Sequence, residues 1–297
     1  MSRRGRVRLV PAAAPAAPAA FGAEHPAHLA RPRTRTLVFA SGKGGVGKSN
    51  LAANLALALG ERGARVLLVD GDLAQANLDL LLGLHPRWDV SHVLAGEKTL
   101  DDVVVPGPAN LRLVPAASGA PELGELDDWR RETLLRSLGA LAADADLLLV
   151  DTASGMSRDA LEFCRAGHDV IVVTTPEMTA FSDAYGLIKH LQQQGAFAQP
   201  PRLVVNMATG AEEAEETAHR MRLVARRFLR LELDCVGVVP YDAAVPRAVR
   251  LQEPVVHAFP QSPAAIAYRA LAARLWKPAP SGPDARTEPR PKLRLEA

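Results

Sequence analysis

Seven short, nearly continuous apolar runs alternate with longer amphipathic stretches along this chain, and this alternation limits the possible folds more than any other feature. Strands buried on both faces appear as apolar runs, and the helices that connect parallel strands appear as amphipathic segments. The sequence therefore predicts an α/β fold with a doubly wound, mostly parallel sheet and helices on both faces. The predicted strands are TLVFA (36–40), RVLLVD (65–70), LRLVP (111–115), DLLLVD (146–151), DVIVVTT (169–175), RLVVN (202–206) and LDCVGVVP (233–240). The predicted helices lie around 48–60, 128–143, 157–166, 180–194, 212–230 and 262–275.

The two ends of the chain depart from this pattern. Residues 1–34 mix Ala, Pro and Arg without a period that could bury one face, and residues 278–297 are rich in Pro and charge. Both ends are therefore predicted to be a disordered leader and a disordered tail, which leaves one folded domain over 35–277. SRRGRV also resembles a twin-arginine export signal, but Pro interrupts the Ala run that would have to serve as its apolar region.

Composition excludes several classes of protein. With 48% apolar residues the chain can bury a large core, and it contains no run of 18 apolar residues that could span a bilayer. Cys164 and Cys235 are far apart and form no metal-binding motif, so a cytoplasmic protein is predicted. The net charge of +2 divides into +6 over residues 1–35, +2 over 277–297 and −6 between them. An acidic core does not favour nucleic acid, so no specific nucleic-acid partner is expected.

A glycine-rich segment, SGKGGVGKS at 41–49, joins the first predicted strand to the first predicted helix. It matches the phosphate-binding pattern G-x-x-x-x-G-K-[ST], and strand-loop-helix is the context that this pattern requires. Small residues leave backbone N–H groups free to surround phosphate oxygens, at the positive end of the helix. Lys48 is predicted to reach the β- and γ-phosphates and Ser49 to ligate Mg²⁺. The loop residues predicted to bind nucleotide are Gly42, Gly44, Gly45, Val46, Gly47, Lys48, Ser49 and Asn50.

Acidic residues stand at the carboxyl ends of two predicted strands. Asp70 and Asp72 follow the second apolar run, and DLLLVDTASG (146–155) places Asp151 after four apolar residues, as in a Walker B motif. Ligands of doubly wound sheets bind at this edge. Asp151 is therefore predicted to hold Mg²⁺ through a water molecule. Asp70 and Asp72 have an alternative interpretation as turn residues, because Asp is common in turns.

Lys43 places a second lysine near the start of the loop, and KGGVGKS resembles the deviant Walker A motif of the MinD/ParA ATPases. The resemblance covers residues 36–276 and implies a homodimer that encloses ATP and Mg²⁺, with Lys43 contacting the partner's nucleotide. It implies that Asp72 orients the attacking water and that Asp70 supports the Mg²⁺ site. The alternative is that Lys43 only attracts phosphate within its own subunit.

The same resemblance implies an adenine pocket. Asn206 at the end of the sixth predicted strand would read the adenine edge, and VVPYD (238–242), which includes Pro240, would form the wall. Asn at a strand end is also an ordinary turn residue, so this second interpretation stays open.

Within the superfamily the chain is most similar to the flagellar-number regulators of the FlhG/FleN type. Four stretches carry that similarity: GKSNLAANLA (47–56), DGDLAQANLDLLLG (70–83), TTPEMTAFSDAYGLIKHL (174–191) and VGVVPYDAAVPRAVRLQEPVV (236–256). The similarity implies a slow, regulatory Mg-dependent ATPase that controls flagellar number or placement, with an FlhF-like GTPase and a FleQ-like transcriptional activator as partners. A ParA-like segregation ATPase and a MinD-like division-site ATPase are the alternatives.

The sequence departs from that family at several points. Met178 stands where Pro is common, Ala153-Ser154 where Gly-Ala is common, and EHPAHLARP (24–32) where relatives carry a GTPase-stimulating element. Relatives also associate reversibly with membranes through a C-terminal amphipathic helix, and AIAYRALAARLWK (265–277) is a candidate for it. The alternative is that this segment is the last helix of the core.

Overall fold

The computed structural model describes residues 34–117 and 126–277. The predicted leader before Thr34, including the 24–32 segment, and the predicted tail lie outside these residues. One eight-stranded sheet runs through the described part of the chain. Its strands are β1 (Arg35–Ala40), β2 (Val66–Gly71), β3 (Val105–Pro106), β4 (Leu111–Val114), β5 (Leu147–Thr152), β6 (Asp169–Thr174), β7 (Arg202–Ala208) and β8 (Asp234–Pro240).

The strand order is β3-β4-β2-β5-β1-β6-β7-β8, and every neighbouring pair is parallel except β3 with β4. The first strand therefore lies in the interior of the sheet, and the chain winds outward from it in both directions. The seven predicted strands and the doubly wound, mostly parallel sheet are confirmed. The prediction missed β3, because a strand of two residues leaves no apolar run.

The described residues contain eleven α-helices, of which α1 to α8 lie between strands and α9 to α11 follow β8. They are α1 (Lys48–Glu61), α2 (Leu78–Leu82), α3 (Val90–Leu94), α4 (Leu100–Val103), α5 (Asp128–Leu141), α6 (Arg158–Ala166), α7 (Met178–Gln193), α8 (Ala211–Val224), α9 (Ala244–Leu251), α10 (Val255–Ala258) and α11 (Pro263–Leu275). The six predicted helices are present, although α8 ends at Val224 and continues as a π-helical turn over Ala225–Leu229. The five helices that were not predicted have four to eight residues, too few for a clear helical period.

Alternate residues of each central strand face opposite sides of the sheet. In β1, Leu37 and Phe39 pack against one set of helices and Val38 and Ala40 against the other. The first layer is formed mainly by α1, α2 and α9 to α11, and the second mainly by α3 to α8. Helix α1 packs on the sheet with α2 and α11 as neighbours, and 11 of its 14 residues are buried. Such burial explains why its sequence is apolar on all sides.

The last helix, α11, packs into the core. Tyr268, Leu271 and Leu275 are almost fully buried, and Gly237 of β8 contacts the Leu271 side chain directly. These side chains of α11 are therefore occupied by the sheet and α1, which favours the alternative that 265–277 is the last helix of the core. Ile266 on the same helix is exposed, and reversible membrane association stays a prediction. Within the described residues, none of the helices has both the length and the apolar character needed to cross a bilayer.

Candidate nucleotide-binding site

The phosphate-binding loop connects β1 to α1 at the carboxyl edge of the sheet. Two of its glycines are required by their surroundings. A Cβ on Gly42 would lie 2.2 Å from the Asp183 carbonyl oxygen of α7, and one on Gly47 would lie 2.3 Å from the Asn206 amide nitrogen. Gly47 also has a φ of 82°, in the left-handed region that side chains disfavour. The loop is thus packed tightly against two neighbouring elements before it enters α1.

A cleft of about 560 Å³ opens over this loop. Most of the predicted site residues line it. They are Gly44, Gly45, Val46, Gly47, Lys48, Ser49 and Asn50 of the loop, and Asp72 after β2. The rest of the wall comes from Ser41, Asn77, Leu80, Leu81, Ser154, Met207, Val249 and Gln252, which were not predicted. The segments after β1, β2 and β5 and the carboxyl end of β7 therefore meet around one cavity, as expected at the edge where the strands end.

Lys48 and Asp151 form a buried ion pair below the cleft. The Lys48 Nζ lies 2.6 Å from the Asp151 Oδ1, and their side chains are 7% and 1% exposed. Burial raises the pKa of the Asp151 carboxyl, while Lys48 and the Ser49 hydroxyl act in the opposite direction. The lysine predicted to bind phosphate and two of the three residues predicted for the Mg²⁺ site, Ser49 and Asp151, are thus in one cluster.

Asp70 is also buried beside Asp151 but has a different environment. Its Oδ1 accepts a hydrogen bond from the Asp72 N–H, and its Oδ2 accepts bonds from the N–H groups of Asn77 and Leu78, at 3.0–3.2 Å. Burial and then the Asp151 carboxylate raise the pKa of Asp70 to about 7, although the three N–H donors oppose this rise. The carboxylate therefore holds the segment that presents Asp72 to the cleft. Its predicted support of Mg²⁺ stays a prediction.

Lys43 lies outside the main cleft, in a second cleft of about 310 Å³. Its Nζ donates hydrogen bonds to the Glu177 Oε1 and the Thr179 Oγ1, both at 2.7 Å. The bond from Lys43 and then the bond from the Thr179 hydroxyl to the Glu177 Oε1 hold the pKa of the Glu177 carboxyl below its usual value. In this subunit Lys43 is therefore bound in cis, and its contact to a partner's nucleotide stays a prediction. Sequence reasoning missed Glu177 and Thr179, which lie more than 130 residues away along the chain.

Asn206 is 3% exposed and supports the loop. Its Nδ2 donates to the Val46 carbonyl oxygen at 2.8 Å. The next residue, Met207, has a φ of 56° and lines both clefts. Pro240 is half-buried at the end of β8, paired with Ala208. The amide nitrogen of Asn206 is thus used by the loop, and the adenine roles of Asn206 and Pro240 stay predictions.

These residues fit a Mg-nucleotide. The backbone of a glycine-rich loop at the start of a long helix provides N–H donors for phosphate oxygens. Among the ion pairs of the described residues, Lys48 has one partner, the Asp151 carboxylate. A phosphate can therefore take the place of that carboxylate. Ser49 and Asp151 offer oxygen ligands of the kind that Mg²⁺ prefers.

Comparisons with known proteins agree with this geometry. The ParA family model, described as "NUBPL iron-transfer P-loop NTPase", matches residues 33–276. The chain is 38% identical over 270 residues to the antiactivator FleN of Pseudomonas aeruginosa, covering 90% of this chain and 93% of FleN. It is 33% identical to the flagellum site-determining protein YlxH of Helicobacter pylori, covering 73% of each chain.

A solved structure gives the same result for the fold and the cofactor. The septum site-determining protein MinD of Pyrococcus horikoshii, complexed with Mg-ADP, superposes with a TM-score of 0.69 at 28% identity. The match covers 82% of this chain and 96% of MinD. Proteins of this family use ATP and Mg²⁺, which agrees with the loop, the lysine and the carboxylates described above. The chain therefore belongs to the ParA/MinD family of P-loop NTPases.

Proposed function

We propose that the protein is a slow, Mg-dependent ATPase that dimerises around ATP and regulates flagellar number or placement, as an antiactivator of the FleN type. The observation that carries the proposal is the phosphate-binding loop with its buried Lys48–Asp151 pair, in a chain similar to FleN over 90% of its length. The similarity to YlxH supports the same flagellar role. By resemblance, an FlhF-like GTPase and a FleQ-like transcriptional activator are the proposed partners.

The proposed binding step exchanges partners within the buried cluster. Lys48 leaves the Asp151 carboxylate for the β- and γ-phosphates, and Asp151 and Ser49 become available to Mg²⁺. When bound, Mg²⁺ neutralises charge on the phosphate oxygens. Asp72 lies in the cleft wall on a segment fixed by Asp70, which is a suitable position for orienting the attacking water.

The surface around the cleft supports dimerisation. Leu80, Met207 and Val249 line the cleft, and between 37% and 46% of each side chain is exposed. Apolar side chains that surround a binding site in this way are commonly covered by a partner. A second subunit placed there would bring its own Lys43 close to the nucleotide, after release from Glu177 and Thr179. Both of these contacts are at the surface, so breaking them costs little free energy.

The mass of the protein in solution tests this mechanism. Wild-type protein is expected to be dimeric with MgATP and monomeric with MgADP in sedimentation velocity experiments. Asp72→Ala is expected to bind ATP, remain dimeric and lose hydrolysis, because binding does not need a positioned water. An Asp72→Ala protein that hydrolyses ATP at the wild-type rate would contradict the role of this residue, and a wild-type protein that stays monomeric would contradict the switch.

The cellular role requires a separate experiment, because the similarity to MinD also fits a division-site function. Deletion of the gene is expected to change the number of flagella per cell, counted by electron microscopy. The Lys48→Ala variant should fail to restore the count, whereas the wild-type gene should restore it. Unchanged flagella with misplaced septa or unequal chromosome inheritance would favour the MinD-like or ParA-like alternative.

A further inference from the structure

Ser41, the residue that precedes Gly42, carries a buried hydroxyl without a hydrogen-bond partner. Ser41 as a whole is 1% exposed. In residues 34–117 and 126–277, its Oγ is the one buried side-chain nitrogen or oxygen for which the structure shows no partner. Leaving a buried polar group unpaired costs free energy of folding, so such groups are rare and need an explanation.

The position of Ser41 points to a ligand. Ser41 contributes to the wall of the 560 Å³ cleft. In the sheet, Phe39 pairs with Asp151, and Ser41 lies two residues beyond Phe39, so its side chain is on the same face as Asp151. The buried hydroxyl is therefore on the side of the sheet that carries Lys48 and α1.

The backbone of Ser41 shows which end of the nucleotide is near. Its carbonyl oxygen accepts a hydrogen bond from the Gly155 N–H at 2.8 Å, in the loop that follows Asp151. Gly47, later in the phosphate loop, instead packs against Asn206 and Met207. Ser41 is thus bonded to the loop that follows Asp151, the residue predicted to hold Mg²⁺ beside the last phosphate.

A neighbouring hydroxyl shows that the lack of a partner is specific to Ser41. Thr152 is fully buried next to it, and its Oγ1 donates to the Phe39 carbonyl oxygen at 2.9 Å. The fold therefore satisfies hydroxyls in this region when they are structural.

We propose that the Ser41 hydroxyl donates a hydrogen bond to the terminal phosphate of bound ATP, and so contributes to the discrimination between ATP and ADP. The proposal rests on the nucleotide binding proposed above. Entry of phosphate draws Lys48 away from Asp151, and the loop that begins at Ser41 adjusts with it. The hydroxyl then gains a charged acceptor, which forms a stronger hydrogen bond than a neutral one.

Ser41→Ala provides the test, with two measurements on the full chain. Without nucleotide, the thermal midpoint of Ser41→Ala is expected to equal or exceed that of the wild type, because the lost hydroxyl had no partner. In calorimetric titrations with Mg²⁺ present, the Kd for a non-hydrolysable ATP analogue is expected to rise roughly tenfold, as for a lost charged hydrogen bond. The Kd for ADP is expected to stay within about twofold of the wild-type value, since ADP lacks the terminal phosphate.

Ser262→Ala is the matched control. The Ser262 Oγ accepts a hydrogen bond from the Ala265 N–H at the start of α11, so its loss should lower the thermal midpoint and leave both affinities unchanged. The same behaviour in Ser41→Ala would show a structural hydroxyl and overturn the proposal. Equal losses for ATP analogue and ADP, or no loss for either, would overturn it as well. A wild-type protein that binds neither nucleotide would instead contradict the proposed function.

Discussion

At the scale of single residues, each of the two lysines of the phosphate loop forms an ion pair with a carboxylate, and the proposed binding of nucleotide separates these pairs. Lys48 is held by Asp151 in the interior, and Lys43 is held by Glu177 at the surface. The two pairs differ in energy, because a buried charge that loses its partner is far more costly than an exposed one. Loss of Glu177 should therefore affect dimerisation more than stability, whereas loss of Lys48 should affect both.

The first prediction concerns the buried pair. Lys48→Met leaves the Asp151 carboxylate unpaired, and we expect a loss of about 3 kcal/mol in the free energy of unfolding at pH 8 without nucleotide. Burial raises the pKa of Asp151 even with Lys48 beside it, and the loss of Lys48 raises this pKa further above that of the unfolded chain. Its contribution to stability is then present at low pH and lost as the pH rises, so the deficit of the variant should shrink towards pH 5. Urea unfolding at both pH values measures this difference.

Replacing the carboxylate is the control for that prediction. Adding Asp151→Asn to Lys48→Met removes the unpaired charge, so the double variant should recover part of the stability at pH 8 and lose most of the pH dependence. Equal deficits at pH 5 and pH 8 in Lys48→Met would show that lost packing, and not the carboxylate, causes the destabilisation.

Residues within a local motif could be predicted, and residues paired across the chain could not. Lys48, Ser49 and Asp151 were identified because a phosphate-binding loop and a strand-end carboxylate leave fixed local patterns. The bonds from Lys43 to Glu177 and from Asn206 to Val46 join residues 134 and 160 positions apart. No local pattern records such pairs, because the register of the sheet creates them.

At the scale of elements, the two edges of the sheet carry different kinds of interaction. At the amino edge, ion pairs join neighbouring strands, such as Arg35 with Asp169 and Arg65 with Asp146, both at 2.8 Å. The carboxyl edge has the phosphate loop and several short helices whose starts depend on side-chain caps. The seven apolar runs were sufficient to predict the sheet, whereas helices of four to eight residues are too short to show a helical period.

Asp242 gives the second prediction, because one carboxylate supports two helices. Its Oδ1 accepts from the Ala244 N–H of α9 at 2.8 Å, and its Oδ2 from the Ala264 N–H of α11 at 3.0 Å. Asp242→Ala should therefore lower the free energy of unfolding by about 2 kcal/mol, the sum of two ordinary caps. Asp242→Asn keeps one acceptor oxygen and should lose less. Urea unfolding followed by circular dichroism measures both, and equal losses in the two variants would contradict the two-helix role.

The contribution of Asp242 to the free energy of unfolding changes with pH in the opposite direction to the contribution of Asp151. Burial alone would raise the pKa of Asp242, but the N–H groups of Ala264 and Ala244 and the Ser262 hydroxyl outweigh it and lower the pKa. The stabilising contribution is thus present above the ordinary value of 3.8 and is lost as the pH falls through the lowered pKa. The difference between wild type and Asp242→Ala should be constant near neutral pH and disappear in acid.

At the scale of the whole molecule, the site is open on one side. The main cleft and the second cleft adjoin the same loop, and Met207 borders both. A subunit that uses Lys43 in trans would have no complete site by itself. The doubly wound topology explains this, because it places every loop of the site on one edge of the sheet, where a symmetry-related edge can face it.

Complementation between two inactive variants tests this arrangement. Asp72→Ala should bind ATP and dimerise without hydrolysing it, and Lys43→Ala should bind ATP but lack the lysine that acts on the partner's nucleotide. In a mixed dimer, the Lys43→Ala subunit keeps its own Asp72 and receives Lys43 from the Asp72→Ala subunit, so one site of two is complete. Random pairing of an equimolar mixture then predicts roughly a quarter of the wild-type ATPase rate, whereas each variant alone is inactive. A Lys43→Ala,Asp72→Ala protein in place of Asp72→Ala should give no recovery, and an inactive mixture of the two single variants would show that Lys43 acts within its own subunit.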